Sequence, residues 1–315
     1  MAEMIWSIIL LVIGFVLLIK GADFFVEGSS SVAKMLKVPS IIIGLTIVAM
    51  GTSLPETAVS VTASLTNNNA LAVSNAVGSN IFNLMVVCGF CALFNPLAVE
   101  KSTLKKEFPF SMLCAVLLLV CGYIAMELGR MDGVILLVLF VCFLVWMVTS
   151  ALKARASAGD DEENGKTLPI WKCIVFIIGG IIAIKFGGDF VVDGASAIAA
   201  RMGLSQNLIG LTIVACGTSL PELVTSVVAA RKNELDMALG NVIGSNIFNI
   251  LLVLGVAATI SPIAFIMENV IDIAILTGMS LLVWIFGWTK QKIERREGII
   301  MLLLYAAYLV YICIR

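Results

Sequence analysis

The sequence predicts an all-α integral membrane protein of ten transmembrane helices, arranged as two inverted five-helix repeats. Three observations lead to this fold class: the composition, the number of long apolar runs and an internal duplication. Of the 315 residues, 60% are hydrophobic and 13% are charged, and the mean hydropathy is +1.08. Soluble domains contain about 25% charged residues, so this chain has more apolar surface than a water-soluble core can bury.

Ten apolar runs are long enough to cross a bilayer, because a hydrocarbon core of about 30 Å needs about 20 helical residues. They cover residues 4–33, 39–65, 70–95, 108–126, 132–153, 169–200, 205–230, 236–261, 269–289 and 297–314. The first run lacks the basic start and the small-residue cleavage site of a signal peptide, so it is interpreted as the first span.

The duplication relates residues 22–83 to residues 188–249 at a constant offset of 166. Between 44–83 and 210–249, 24 of 40 positions are identical. Each copy belongs to a set of five spans, and an odd number of crossings makes the second copy enter the membrane from the opposite side. The repeats are therefore expected to be inverted, with one site built between them.

The basic residues predict the orientation, since Lys and Arg in loops favour the cytoplasmic side. With alternating spans, 15 of the 20 basic residues fall on one side and 3 on the other. We therefore expect both termini outside the cytoplasm, in the plasma (cell inner) membrane. Residues 154–168 are expected to form a cytoplasmic linker between a first repeat at 1–153 and a second at 169–315. The acidic run at 160–163 is interpreted as a solvated part of this linker.

Several other kinds of site are disfavoured. The chain has no histidine, and its CxxC, Cys88 and Cys91, lies inside an apolar run without a second pair. Packing is therefore favoured over a zinc or redox site. A nucleophilic enzyme is disfavoured because Ser53 has no histidine or other positioned base. We expect no catalytic activity, no cofactor and no nucleic-acid partner; the lipid bilayer is the expected surrounding.

The motif GTSLPE places one carboxylate inside each copy, at Glu56 and Glu222. A charged side chain at the centre of a membrane-spanning helix costs about 2.5–3.5 kcal/mol even on the most lenient scale, so it needs a partner. On a continuous helix, Ala49, Thr52 and Ser53 would share a face with Glu56. The proline that precedes each Glu loosens the helical hydrogen bonding and frees backbone carbonyls nearby.

The motif GSNIFN adds further oxygens. Ser79 and Asn83 are four residues apart, as are Ser245 and Asn249, so each pair presents a hydroxyl and an amide to one side of a helix. Carboxylate, hydroxyl, amide and carbonyl oxygens suit a hard cation such as Ca²⁺, whereas a soft metal would favour sulfur or imidazole. A cation site is favoured over a purely packing role for the paired motifs.

GTSLPE followed by GSNIFN, in two inverted copies, resembles the α-repeat signature of the sodium/calcium exchangers, within the cation/calcium antiporter superfamily. The likeness is to the prokaryotic type without a regulatory domain. It implies a secondary active antiporter that exports Ca²⁺ while Na⁺ flows inward, by alternating access, with both ions as substrates. The positions that match the family's side-chain ligands are Thr52, Ser53, Glu56, Ser79, Asn83, Thr218, Ser219, Glu222, Ser245 and Asn249, and those that match its carbonyl ligands are Ala49 and Ala215.

One position departs from part of the family pattern, because both Asn83 and Asn249 are neutral where several exchangers have one aspartate. Two carboxylates remain, and their formal charge of −2 balances one Ca²⁺ or two Na⁺. A third Na⁺ is therefore not expected. The potassium-dependent relatives resemble the aspartate-bearing pattern, so the resemblance also implies no K⁺ requirement. Calcium binding should depend on pH, since protonation of Glu56 and Glu222 would remove this charge. A proton-coupled exchanger is the alternative function. A channel is a further function class that is left open.

A second set of charges recurs in the first and sixth spans. Asp23 and Glu27 correspond to Asp189 and Asp193, and a lysine lies nearby in each span. Local charge pairing near the span ends is favoured over an ion-attracting vestibule. The resemblance further implies that these two spans move against the rest of the protein.

Overall fold

The computed structural model describes residues 2–66, 69–157, 167–204, 209 and 213–314, and helices dominate this part of the chain. Eight described helices are long and apolar enough to cross a bilayer, and a bent pair of shorter helices makes a ninth crossing if it is counted as one span. The prediction of a helical, multi-pass membrane fold is confirmed.

The described residues of the first half form nine α-helices, two π-helical segments and two very short strands. In chain order they are α1 (Ala2–Leu36), α2 (Ser40–Ile43), π1 (Gly44–Val48), α3 (Ala49–Thr52), α4 (Leu54–Leu65), α5 (Asn69–Phe82), π2 (Asn83–Val87), α6 (Cys88–Phe94), β1 (Leu97–Ala98), α7 (Lys101–Lys105), α8 (Glu107–Ala125), β2 (Glu127–Leu128) and α9 (Arg130–Ser157).

The second half follows a similar plan. Its described elements are α10 (Ile170–Arg201), α11 (Ala215–Gly217), α12 (Leu220–Arg231), α13 (Leu235–Phe248), π3 (Asn249–Val253), α14 (Leu254–Ile260), β3 (Ile263–Ala264), α15 (Met267–Lys290), β4 (Lys292–Ile293) and α16 (Arg295–Ile314).

The ends of the apolar runs agree with the ends of helices to within a few residues, except in two places. The run 205–230 begins among residues 205–208 and 210–212, which lie outside the described residues, so only α11 and α12 represent it. The helix α9 continues to Ser157, so the first four residues expected in the linker are helical. Residues 158–166, the middle of that linker, also lie outside the described part.

The helix that contains GTSLPE is broken, which corrects the expectation of one continuous helical face. Between α3 and α4, Ser53 has φ −82° and ψ 11° and ends the first helix, and the axis bends by 49°. Ser219 has φ −94° and ψ 5° at the same place in the second half. Pro55 and Pro221 each occupy the first turn of the helix that follows, where the missing amide hydrogen costs little.

The centre of the bundle is built by α5 and α13 with the segments that follow them. Nearly every residue from Met237 to Leu251 is buried, while Trp6 of α1 and Leu303 of α16 are more than half exposed. Exposed apolar side chains on the outer helices suit contact with lipid.

The long helices α1 and α10 pack at very short range. A Cβ atom on Gly14 would lie 2.8 Å from the carbonyl oxygen of Gly187, and one on Gly187 would lie 2.7 Å from the amide nitrogen of Leu18. Only a residue without a side chain fits here, as in other close helix contacts inside membranes.

The four short strands, which the sequence analysis did not predict, join the two halves. β1 pairs antiparallel with β4, with Leu97 opposite Ile293. β2 pairs antiparallel with β3, with Leu128 opposite Ile263. In each pair one strand belongs to the first half and the other to the second, so the loops of the two halves are held together directly.

Candidate cation-binding site

The two carboxylates of the GTSLPE motifs lie at the centre of the bundle, just after the two helix breaks. Glu56 is in the first turn of α4 and Glu222 is in the first turn of α12, and both side chains are 0% exposed. The positive end of a helix dipole favours a negative charge in this turn. The break therefore gives each carboxylate a local electrostatic partner that an unbroken helix would lack.

Each carboxylate accepts a hydrogen bond from the other half of the chain. The hydroxyl of Ser219 donates to Oε1 of Glu56 at 3.3 Å, and the hydroxyl of Ser53 donates to Oε1 of Glu222 at 3.1 Å. Ser79 also donates to Oε1 of Glu56, at 3.4 Å. The two motifs thus form one interlocked cluster instead of two separate faces.

Asn83 and Asn249 contribute their amides to the same centre. The Nδ2 atom of Asn83 donates to Oδ1 of Asn246 at 3.3 Å, and Nδ2 of Asn249 donates to Oδ1 of Asn80 at 3.0 Å. A π-helical segment begins at each of these residues, at Asn83 and at Asn249. Such segments occur frequently at functional sites.

Six oxygens of the residues expected to bind ions are buried without a hydrogen-bond partner among the described residues. They are Oε2 of Glu56, Oδ1 of Asn83, Oγ1 of Thr218, Oε2 of Glu222, Oγ of Ser245 and Oδ1 of Asn249. Five further buried oxygens without a partner belong to other residues. Buried polar atoms are nearly always paired, so a cluster of acceptors left open on both carboxylates and both amides is suited to hold a cation.

The two halves share their sequence here but differ in geometry. The hydroxyl of Thr52 lies 3.0 Å from Oδ1 of Asn241 and 3.1 Å from the carbonyl oxygen of Val48. Thr218, the counterpart of Thr52, has no such partner in the described structure. Asn75, the counterpart of Asn241, donates instead to the carbonyl oxygen of Glu56 at 3.2 Å. The cluster is therefore asymmetric in this conformation.

The two expected carbonyl ligands, Ala49 and Ala215, both lie in helical segments. The carbonyl oxygen of Ala49 accepts from the amide of Ser53 at 3.0 Å, and the hydroxyl of Thr52 lies 3.3 Å away. The single hydroxyl hydrogen of Thr52 is closer to Oδ1 of Asn241, at 3.0 Å, so the carbonyl oxygen of Ala49 keeps a lone pair that could bind an ion. The backbone of Ala215 is helical, and its side chain lies outside the described residues.

Four asparagines close to the cluster were missed by the sequence analysis: Asn75, Asn80, Asn241 and Asn246. Besides the bonds above, Asn75 donates to Ser60 at 3.0 Å and Asn241 donates to Ser226 at 2.9 Å. All four asparagines and both serines are identical between the two copies. That identity is the signal that could have found them.

The recurring charged residues of α1 and α10 form ion pairs in two different ways. On α10, Lys185 pairs with Asp189 of the next turn, as the local-pairing interpretation expects. On α1, by contrast, Asp23 and Glu27 pair with Lys232 of the second half, at 2.6 and 3.7 Å. Glu27 and Lys232 also line a cleft of about 540 Å³.

Cys88 and Cys91, the cysteines of the CxxC, are both buried and free.

Comparison with known proteins finds relatives of this chain over nearly its whole length. A sequence model of the family "Sodium/calcium exchanger protein" matches residues 6–149 and 172–314. The putative antiporter CaxA of Alkalimonas amylolytica is 41% identical, with 97% of this chain and 98% of that protein covered. The sodium/calcium exchanger MaX1 of Methanosarcina acetivorans is 32% identical, with 96% and 97% covered.

The fold is also similar to solved structures of the sodium-calcium exchanger NCX_Mj. A structure soaked with Na⁺ and Sr²⁺ gives a TM-score of 0.85 at 36% identity, with 97% of this chain and 98% of that chain covered. A structure soaked without Na⁺ and Ca²⁺ gives a TM-score of 0.86 at 35% identity. The chain belongs to the sodium/calcium exchanger family, whose members are membrane antiporters and not enzymes.

Proposed function

We propose that this protein is a secondary active antiporter that exports Ca²⁺ in exchange for Na⁺, by alternating access around the cluster of Glu56 and Glu222. The observation that carries the proposal is the set of six buried, unpartnered oxygens on the two carboxylates, two amides and two hydroxyls. A hard cation takes six to eight oxygens, and this set of six reaches the lower end of that range before any backbone carbonyl is counted.

The charge of the cluster sets the expected exchange. Two carboxylates carry a formal charge of −2, and both are completely buried. Buried charges are stable only when they are paired, so the site favours occupancy by one Ca²⁺ or by two Na⁺. One Ca²⁺ and two Na⁺ neutralise the two carboxylates equally, so either set of ions can be carried through the apolar interior of the protein.

The architecture that we propose is two inverted five-helix repeats, at 1–153 and 169–315, connected by the linker 154–168. The strand pairs support it. β3 is the repeat counterpart of β1, at the offset of 166, and it pairs with β2. The helix α8 separates β1 from β2 and is long enough to cross the membrane. β1 and β3 would therefore lie on opposite faces, as inversion requires.

The proposed location is the plasma (cell inner) membrane, with both termini outside the cytoplasm. The distribution of basic residues, 15 against 3, supports this orientation. In this orientation the pair β1–β4 lies on the cytoplasmic face and the pair β2–β3 lies on the other face.

The proposal is tested by Ca²⁺ flux into proteoliposomes with gradients of Na⁺, H⁺ and K⁺ imposed separately. We expect an opposing Na⁺ gradient to drive Ca²⁺ transport and a K⁺ gradient to have no effect. Transport driven by H⁺ alone would instead identify a proton-coupled exchanger. Flux that no opposing ion gradient stimulates would indicate a channel.

The site is tested in the same vesicles with Glu56→Gln and Glu222→Gln, which keep the side-chain shape and remove the charge. Each should reduce Ca²⁺ transport by at least about a hundredfold, because one buried charge that pairs with the ion is lost. Glu107→Gln is the control, since Glu107 is a partly buried glutamate on a membrane-spanning helix and does not belong to the cluster. Normal transport by both cluster variants would refute the assignment.

A further inference from the structure

Asn80 and Asn246 form a reciprocal pair at the centre of the bundle. The Nδ2 atom of Asn80 donates to the backbone carbonyl oxygen of Asn246 at 3.1 Å, and Nδ2 of Asn246 donates to that of Asn80 at 3.3 Å. Asn80 is 0% exposed and Asn246 is 2% exposed. The pair connects α5 of the first half directly to α13 of the second.

The other end of each side chain receives a hydrogen bond. Oδ1 of Asn80 accepts from Nδ2 of Asn249 at 3.0 Å, and Oδ1 of Asn246 accepts from Nδ2 of Asn83 at 3.3 Å. Each member of the pair therefore holds an amide that belongs to the opposite half of the chain. The amide oxygens of Asn83 and Asn249 are left buried and unpartnered.

The direction of these hydrogen bonds is fixed by the backbone carbonyls of Asn80 and Asn246, which cannot act as donors. A backbone carbonyl only accepts, so Asn80 must direct its NH₂ group towards Asn246 and its oxygen towards Asn249. If the Asn249 amide were flipped, two acceptor oxygens would face each other in a buried place, at the cost of an unmade hydrogen bond. The same reasoning orients Asn83 through Asn246.

We propose that Asn80 and Asn246 are positioning residues that hold the amide oxygens of Asn249 and Asn83 towards the transported cation. This inference rests on the proposed function, since it assumes that these two oxygens bind the ion. Without the pair, either amide could rotate and present its NH₂ group to the cation. Such a rotation would replace an oxygen ligand by a repulsive partial positive charge.

The proposal is tested by double-mutant cycles read out as the Ca²⁺ concentration that gives half-maximal uptake into proteoliposomes. Four single substitutions should each raise this concentration about tenfold. They are Asn80→Ala, Asn83→Ala, Asn246→Ala and Asn249→Ala. The pair Asn80→Ala with Asn249→Ala should remain near tenfold, because the second change removes an oxygen that is already misdirected. Asn246→Ala with Asn83→Ala should behave in the same way.

The same-half pairs are the matched controls. Asn80 does not orient Asn83, and Asn246 does not orient Asn249. The effects of the two substitutions in each of these pairs should therefore multiply and raise the half-maximal Ca²⁺ concentration about a hundredfold. If the asparagines only hold α5 against α13, all four pairs should behave alike. Equal behaviour of the cross-half and same-half pairs would overturn the positioning role.

A conservative variant keeps the test decisive if an alanine variant does not assemble in the membrane. Asn80→Asp loses the donated bond to Asn246 but keeps an acceptor for Asn249. In this background Asn249→Ala should still cost about tenfold, and the absence of any further cost would overturn the proposal. If Asn83→Ala and Asn249→Ala each left Ca²⁺ uptake unchanged, the cation site would be refuted together with the positioning role. Impaired single variants without cross-half coupling would refute the positioning role alone.

Discussion

At the scale of single residues, the cluster is only half satisfied by protein atoms. One oxygen of each buried carboxylate accepts a hydroxyl and the other has no partner among the described residues. Removing a protein donor and removing an ion ligand should therefore have different effects. Thr52 and Thr218, which occupy the same motif position, separate the two cases.

Thr52→Val should destabilise the protein without ions by about 1–3 kcal/mol, because Oδ1 of Asn241 would lose its donor in a buried place. Thr218→Val should cost little under the same conditions, since its hydroxyl has no protein partner, but it should weaken Ca²⁺ binding. Thermal unfolding in detergent, with and without Ca²⁺, measures both effects. Equal destabilisation of the two ion-free variants would contradict this account.

The sequence predicted that both motifs contribute to one site, but not how their side chains pair. Glu56 and Glu222 each accept a hydrogen bond from a serine of the opposite motif, and the binding of ions by this cluster stays a prediction. Helical spacing, however, suggested that each Glu faces hydroxyls of its own motif. The break at Ser53 changes the direction of that serine, which instead reaches the carboxylate of the other half. Such a contact depends on tertiary packing, which no local spacing encodes.

At the scale of the elements, the contact of α1 with α10 leaves no room for side chains. Gly187→Ala places a methyl group within 3 Å of backbone atoms of α1, so the helices must separate, and we expect a loss of about 1–3 kcal/mol in stability. Gly179→Ala on the same helix is the control, because no described atom lies within 4 Å of its added Cβ. Thermal unfolding of the two variants should show a lower midpoint for Gly187→Ala alone.

The lengths of the elements were predictable because the thickness of a bilayer determines them. Runs such as 108–126 and 269–289 differ from α8 and α15 by only one or two residues at each end. The π-helical segments at Asn83 and Asn249 and the two-residue strands were not predicted. The strands exist only because a loop of the other half lies alongside, and no property of either loop alone requires them.

At the scale of the whole molecule, the strand pairs connect the two halves at places where both chains turn. Ala98 in β1 and Ala264 in β3 are counterparts in the two halves, and both are exposed. In a variant without the native cysteines, Ala98→Cys should react with a membrane-impermeant thiol reagent only after the cells are opened. Ala264→Cys should react in intact cells. Reaction of both from the same side would contradict the inverted arrangement.

The exchange of donors between the halves also has a consequence for synthesis of the protein. Glu56 is translated long before Ser219, so an incomplete chain inserts this carboxylate without the hydroxyl that later donates to it. Two of the six unpartnered oxygens come from the first half and four from the second. A chain that stops at residue 153 would therefore hold one of the two carboxylates and only two of these six oxygens. A chain that is truncated, or that stays incomplete because the ribosome pauses, should be an unstable fragment that proteases degrade. It should not form a pore that leaks ions.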